Sequence, residues 1–388
     1  MSEKVHIGMV GCGGMASAHR GGYNGLWDAG LRSFNIDATC DINEDAAKNM
    51  AEEIVKFQSS TPRVYTDLDD MLTKEGDLTA VDISTVHRAH HTLAIPCFEA
   101  GLHVTIEKPV ALTLKAAQLM LDAAKKAGTV FQVAENYRRS PGHRAINWAI
   151  KQGRIGQPRM LYWQEVRERL WYWAWREHKD QAGGGWMLDG GVHFADLALY
   201  HIGPVRSAYG VVKTYHPYRY KNPEELTGAI DVDTEDAVIA TLGLDDDVVC
   251  QWSTTTAAPG QGYDAKVLYG EEGSITFHGD NAGIKTRSEE TSEDDLIAEH
   301  QAQLSDDERQ LMFPNGVTET VATELYEFTQ AILNGGDIET DGMVGYQALA
   351  ICFAIYESSH LGQQVSLDDV EALKYDGYQK ELNDGLGI

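Results

Sequence analysis

Basic residues are scarce in this chain of 388 residues: 32 lysines and arginines stand against 59 aspartates and glutamates, a formal net charge of −27. Such a surface argues against nucleic acid and anionic membranes as partners, although a local basic pocket for a small molecule remains compatible with it. Cysteine is sparse as well. Cys12, Cys40, Cys97, Cys250 and Cys352 are odd in number and far apart, with no C-x-x-C pair. A disulfide framework or structural zinc site is therefore not expected, and a reducing cytoplasm is the simplest setting. No apolar run approaches membrane-spanning length, and a predicted strand begins at Val5, which leaves no room for a signal peptide. No internal repeat or low-complexity tract stands out. Hydrophobic residues make up 43% of the chain and charged residues 23%, as in a soluble globular protein, and the length calls for two domains.

Present instead is a strong alternation of strand and helix over the first third. Val5–Val10 reads as a buried strand, followed by Gly11-Cys12-Gly13-Gly14-Met15-Ala16, which fits G-x-G-x-x-G/A. The first glycine permits a tight turn, the second lets backbone approach a pyrophosphate, and the small last residue lets helix pack on strand. The next strand, Phe34–Cys40, closes on Asp41. A carboxylate there accepts from ribose hydroxyls and repels a 2′-phosphate, favouring NAD over NADP; the lesser alternative, compatible with it, is a cap for the helix starting near Asn43. The spacing from Gly11 to Asp41 is long, and Gly21–Ser33 reads as an insert. Further strands follow at Val64-Tyr65, Ala80–Ser84, His103–Ile106 and Val130–Ala134, with helices between them. This pattern predicts a doubly wound parallel sheet in residues 1–134.

The strand His103–Ile106 runs into Glu107-Lys108-Pro109. Proline ends the ladder and leaves a lysine at the carboxyl end of a parallel strand, the edge where α/β sheets bind ligands. Lys108 is a candidate for polarising a substrate hydroxyl or carbonyl; the plainer alternative is a surface lysine in a tight turn.

From Glu135 the pattern changes. After a helix near Pro141–Gln152, strand-like runs at Met160–Arg167, Ser207–Thr214, Ala237–Leu242, Val248–Thr255, Ala265–Tyr269 and Ser274–His278 predict a mainly antiparallel open sheet in an α+β domain, residues 135–388. Asp280–Gln310 reads as a solvated acidic excursion with a short helix, and helices at Thr323–Asn334 and Tyr346–His360 close the chain. Within this half, Gly183–Asp196 is the densest signal. If a helix starts inside it, Asp189 and His193 share a face as an acid/base pair, with the intervening glycines leaving room for a ligand. A capped helix with a core histidine is the alternative. A metal site on Asp189 and His193 with Asp196 or His178 added, or one on His87, His90 and His91, lacks the ligand spacing of a zinc centre, and no metal is expected. Upstream, Arg167–Lys179 concentrates tryptophan and arginine: Arg167, Trp173, Trp175 and Arg176, with Trp186 beyond, form a candidate platform for a sugar or an anionic substrate, or a packing stripe.

Together these residues resemble the Gfo/Idh/MocA family, and the correspondence runs over essentially the whole chain. It is carried by Gly11–Ala16, by Ser84-Thr85 with His90, by Glu99–Val104, by Glu107-Lys108-Pro109, by Asn136-Tyr137-Arg138, by Gly183–Asp196 and by Tyr356–Ser359. The resemblance implies a Rossmann domain binding NAD through Gly11, Gly13, Gly14, Met15, Ala16, Asp41, Ser84, Thr85, His87, His90, Glu107, Lys108 and Asn136. It implies Lys108 and His193 flanking the reacting hydroxyl, with Asp189 beside them. Lys108, Arg138, Arg167, Trp173, Trp175, Arg176, Trp186, Asp189 and His193 are then the expected substrate contacts. Where such chains usually carry Thr-Pro-Asn, this one has Thr85-Val86-His87. The expected activity is NAD-dependent oxidation of a secondary hydroxyl of a sugar, glycoside or cyclitol. The alternative is an NAD-dependent glycosidase that oxidises, eliminates, hydrates and reduces, with an anionic or sulfonated sugar such as a sulfoquinovoside as one substrate. Relatives commonly pair through the second-domain sheet, so a homodimer or homotetramer is expected.

Overall fold

The computed structural model describes residues 4–277, 279 and 282–388. Two compact units emerge, and each takes its chain from several stretches. The first comprises Met1–Ala111, Ala116–Ser140 and Leu304–Tyr346; the second comprises Leu112–Lys115, Pro141–Gln303 and Gln347–Ile388.

The first unit opens β1 (Val5–Val10), α1 (Gly14–Asp28), β2 (Phe34–Cys40), α2 (Glu44–Gln58), β3 (Arg63–Tyr65), α3 (Leu68–Lys74), β4 (Ala80–Ile83), α4 (His90–Glu99), β5 (His103–Glu107), α5 (Leu114–Ala127) and β6 (Phe131–Ala134). The six strands form one parallel sheet in the order β3-β2-β1-β4-β5-β6, whose direction of growth reverses between β1 and β4. That reversal opens a crevice at the carboxyl ends of β1 and β4, where α/β sheets take their ligands. Gly21–Ser33 is no insert: α1 runs through to Asp28 and buries Tyr23 and Leu26, so the long spacing is helix rather than loop. Asn43, not Asp41, caps α2, its side chain accepting from the Asp45 and Ala46 N–H groups.

The second unit contains α6 (Pro141–Lys151), β7 (Pro158–Val166), α7 (Lys179–Ala182), α8 (Trp186–Asp189), α9 (Gly191–His201), β8 (Val205–Lys213), β9 (Tyr218–Asn222), β10 (Thr227–Asp231), β11 (Ala237–Leu244), β12 (Val249–Thr255), β13 (Tyr263–Gly270), β14 (Gly273–Thr276), β15 (Gly283–Thr286), β16 (Glu290–Ser292) and α10 (Glu293–Gln303). The strand expected to end at His278 ends at Thr276, and His278 itself lies outside the described residues. Asp280, the start of the expected excursion, is outside them too, but the described part is no solvated loop. Strands β15 and β16 extend the sheet and α10 packs on α6, because Ile284, Thr291, Leu296 and His300 are buried among the acidic residues. A nine-stranded sheet results, ordered β16-β15-β14-β13-β7-β12-β11-β8-β17, where β17 is Val365–Ser366; it is antiparallel except for the β7–β12 pair. Strands β9 and β10 form a separate hairpin.

The chain then returns to the first unit with α11 (Asp306–Met312) and α12 (Thr320–Asn334). Val321, Ala322, Leu325 and Phe328 of α12 join Ile7, Tyr23, Leu26 and Phe34 in one buried cluster. Gly22 of α1 permits that approach, since a Cβ there would lie 3.1 Å from the Ala322 nitrogen. Each large apolar side chain so buried stabilises by about 1.5–3 kcal/mol. Helix α13 (Gly342–Leu361) lies on the second unit's sheet. There the Ser358 and Ser359 hydroxyls accept from the Gly210 and Val212 N–H groups of β8. Among the described residues no helix is long and apolar enough to cross a membrane.

Candidate active site

In the first unit the turn after β1 is built for close approach. Gly11 has φ +85°, and a Cβ on it would strike the Ser84 carbonyl and lie 2.7 Å from the Thr85 methyl. Nothing lies within 4 Å of a Cβ built on Gly13 or Gly14, so the far side of the loop is open. Helix α1 starts there with no acidic residue in its first turn and no side chain capping it. Its leading N–H groups are thus available to an anion. At the end of β2, Asp41 accepts from the Cys12 N–H at 2.8 Å and from the Asn43 N–H at 2.8 Å. This leaves carboxylate lone pairs for ribose hydroxyls. An open glycine turn, an uncapped helix N-terminus and an acid at the next strand end fit a dinucleotide. Ile42, 97% exposed beside Asp41, is a further candidate contact for its adenine, which the sequence pattern did not single out. Met15 is exposed at the same turn, and Ala16 is buried under it.

Lys108 follows β5, half-buried, and its backbone N–H donates to the Glu107 carboxylate at 3.1 Å. The Lys108–Pro109 peptide is cis. Beneath this turn sits His90, fully buried: Nδ1 lies 3.0 Å from the Pro109 carbonyl and Nε2 3.4 Å from that of Thr85. Burial, then the neighbouring His87, pushes the His90 imidazole down to about 4, so the ring is neutral and its one N–H serves the nearer carbonyl, that of Pro109. His87 is buried against it, the two rings edge to face. Asn136 donates to Thr320 of α12, and Arg138, expected at the substrate, is buried with Nη1 on the Glu339 carbonyl.

The second unit gathers most of the other expected residues into one string. The Arg167 guanidinium lies 4.9 Å from the Trp186 ring centre; Trp186 neighbours Trp173 at 5.9 Å; Arg176 lies over Trp173 and Trp175 at 4.6 and 4.4 Å; and its Nε is 3.4 Å from Asp189. Arg169 covers Trp171 and Trp173 and pairs with buried Glu177, which also faces Arg219 at 3.5 Å. Guanidinium groups, rather than open tryptophan faces, thus occupy much of the platform. Asp189 ends α8 buried, and His193 stands half-buried in the first turn of α9. Gly190 between the helices, at φ −95° and ψ −32°, is near enough to helical for the i, i+4 relation to persist.

The glycines here do not make room for a ligand. A Cβ on Gly190 would lie 2.6 Å from the Trp186 ring, and one on Gly191 2.9 Å from Trp252. They admit tryptophans. Glu235, which no local pattern marks, accepts from the Gly185 N–H at 2.6 Å and the Met187 N–H at 3.0 Å, holding the start of α8. Burial pushes its carboxyl up, with the two N–H groups working the other way.

Residues 5–135 match the Gfo/Idh/MocA oxidoreductase family's NAD-binding Rossmann fold, and residues 143–276 match a Gfo/Idh/MocA C-terminal domain. Levoglucosan dehydrogenase of Pseudarthrobacter phenanthrenivorans is 27% identical over 403 residues, covering 95% of this chain and 100% of that protein. The solved structure of a levoglucosan dehydrogenase in complex with NADH and L-sorbose matches with a TM-score of 0.76 at 25% identity, covering 95% of this chain and all of that one. A partial likeness, 26% over 185 residues, joins 47% of this chain to 39% of the α-N-acetylgalactosaminidase of Shewanella oneidensis. The chain belongs to the Gfo/Idh/MocA family: it is an oxidoreductase whose N-terminal domain is an NAD-binding Rossmann fold.

Proposed function

We propose that this protein oxidises a secondary hydroxyl of a sugar, glycoside or cyclitol. The observation that carries the reading is the Lys108 turn, which leaves β5 one strand away from the open glycine cradle's crevice. NAD, when bound, supplies the hydride acceptor. Lys108 is the first group proposed to take the hydroxyl proton, and His193, with Asp189 to orient it, the second. The cradle of Gly11, Gly13, Gly14 and Asp41 holds the dinucleotide, and His90 holds the lysine's turn in place. Similarity to a sugar dehydrogenase over nearly the whole chain supports the substrate class.

The arginines of the second unit keep a sulfonated or carboxylated sugar within the substrate class alongside an uncharged one. Arg169 and Arg219 share Glu177, with Asp236 4.0 Å from Arg219, Arg176 has Asp189, and Arg167 lies against the Trp186 ring, so guanidinium groups outnumber carboxylates along this string. The open sheet face carries exposed Met160, Tyr162, Tyr209, Val211, Ile239, Tyr263 and Tyr269, which supports pairing of two chains through it. Light scattering should return a dimer or tetramer; a monomer at all concentrations would end that part of the reading.

The test offers levoglucosan, inositols, free sugars and chromogenic glycosides, sulfoquinovosides included, with NAD, following NADH and nitrophenol together. Stoichiometric NADH without nitrophenol is the expected result. Nitrophenol released over many turnovers, needing NAD but accumulating no NADH, would replace the dehydrogenase with the glycosidase cycle.

A further inference from the structure

The turn that carries Lys108 is anchored by a group the reaction scheme leaves unused. His19 lies on the second turn of α1, the helix whose first residues line the dinucleotide cradle, and it is completely buried. Its Nδ1 is 2.9 Å from both carboxylate oxygens of Asp82 on β4, and its Nε2 is 2.9 Å from Glu107 Oε1 at the end of β5. The other Glu107 oxygen accepts the Lys108 N–H. A neutral imidazole has one N–H, so two carboxylate partners are both satisfied only by the doubly protonated ring. Burial alone would lower the His19 value, but Asp82 and then Glu107 more than offset it and hold it well above the ordinary range. Glu324 of α12 also faces this group, along with Arg139 and Glu135, and burial pushes the Glu324 carboxyl well up.

A core that needed only packing would do as well with apolar side chains, since exchanging a buried ion group for them is often neutral or stabilising. The three partners come from the cofactor-loop helix, the strand leading to Ser84-Thr85 and the strand leading to Lys108. Their junction joins the elements a hydride transfer must hold in register. We infer that His19 is a positioning residue for Lys108, fixing the Glu107-Lys108 turn to the helix on which the dinucleotide seats. The inference rests on the reading of Lys108 as the proton-transfer group.

The test compares His19→Gln, the charge-balanced double variant His19→Gln/Asp82→Asn, and Lys108→Met as NAD-loaded enzymes. His19→Gln should lose about 10- to 100-fold in kcat, as misplacement of a reacting group does, with NADH affinity and substrate KM within about twofold. The double variant should regain cooperative melting without regaining kcat. Recovery of both would reduce His19 to a counter-charge for Asp82 and overturn the proposal. In the unmodified enzyme with NADH, nitrogen-15 spectra of labelled histidine should show one imidazolium persisting at about pH 8, well above the ordinary 6.5; a neutral ring there would equally overturn it. Should neither His19 variant fold, Glu107→Gln carries the same expected loss of kcat, and unchanged kcat refutes the proposal. Unchanged turnover in Lys108→Met would sink the reading of the lysine itself. A dead Lys108→Met beside a fully active His19→Gln would sink only the inference about His19.

Discussion

Asp41 does two things with one carboxylate. It accepts from the Cys12 and Asn43 N–H groups, which fixes the glycine turn against the end of β2, and it presents negative charge where the adenosine ribose would lie. Replacing it with alanine should raise KM for NAD about 10-fold or more, the scale of losing charged hydrogen bonds, while NADP loses far less. Initial rates with both cofactors check this; an equal loss for both would mean Asp41 only shapes the turn. Lys108→Met should lower kcat by about 100- to 10,000-fold, the range for a positioned proton-transfer group. Cys12 lies in the same loop but is 8% exposed, and burial, with Asp41 next, pushes its thiol up to about 12. Iodoacetamide near neutral pH should therefore leave turnover untouched.

Helix α8 is one turn long and holds its place only through its surroundings. Glu235 satisfies its leading N–H groups, and Gly185 must lack a side chain because a Cβ would sit 2.5 Å from the Glu235 carbonyl oxygen. Gly185→Ala should thus cost about 1–3 kcal/mol of stability and displace Asp189, lowering kcat together with the melting temperature. A Gly185→Ala protein with unchanged melting and activity would refute this account of the loop. Elements of this kind carry no local sequence signal. Strands β1 to β6 were legible because short apolar runs recur at strand–helix spacing, and β1 and β5 end on turn signals of their own, Gly11 and Pro109. The hairpin β9–β10 and strands β15 and β16 were not, because their residues are mostly polar and exposed and gain their ladder from neighbours. About two turns of helix past Gly21 were hidden by Gly21, Gly22 and Gly25, of which Gly22 takes its use from α12, far along the chain.

Buried titratable groups give the whole molecule opposed dependences on pH. His90 has its folded value near 4, below the ordinary 6.5, so the unfolded chain takes up its proton first as pH falls. Its contribution is complete above 6.5 and lost on the way down to 4, roughly 3 kcal/mol in all. His19 is raised, so its contribution is complete below 6.5 and fades as pH climbs through its folded value; Glu324, also raised, begins to lose its contribution from 4.5 upward. Melting temperature should therefore pass through a maximum, and His90→Asn should flatten the acid limb alone. An acid limb just as steep in His90→Asn would assign it to other groups.

The family and the parallel sheet were legible in motifs and an alternation spread along the chain. The glycine turn, Asp41 at its strand end and the Lys108 turn were legible in sequence alone, because each of these three depends on residues within one strand and the turn after it. Tertiary structure decided what those local signals could not contain. It set His19 between acids 63 and 88 positions away, brought Glu235 to Gly185 across 50, and laid arginines over the tryptophans. It also turned Arg138 into the core and carried α12 back to the first unit. Such partners are chosen by burial, since a charge or N–H removed from water must find its complement wherever the fold places one.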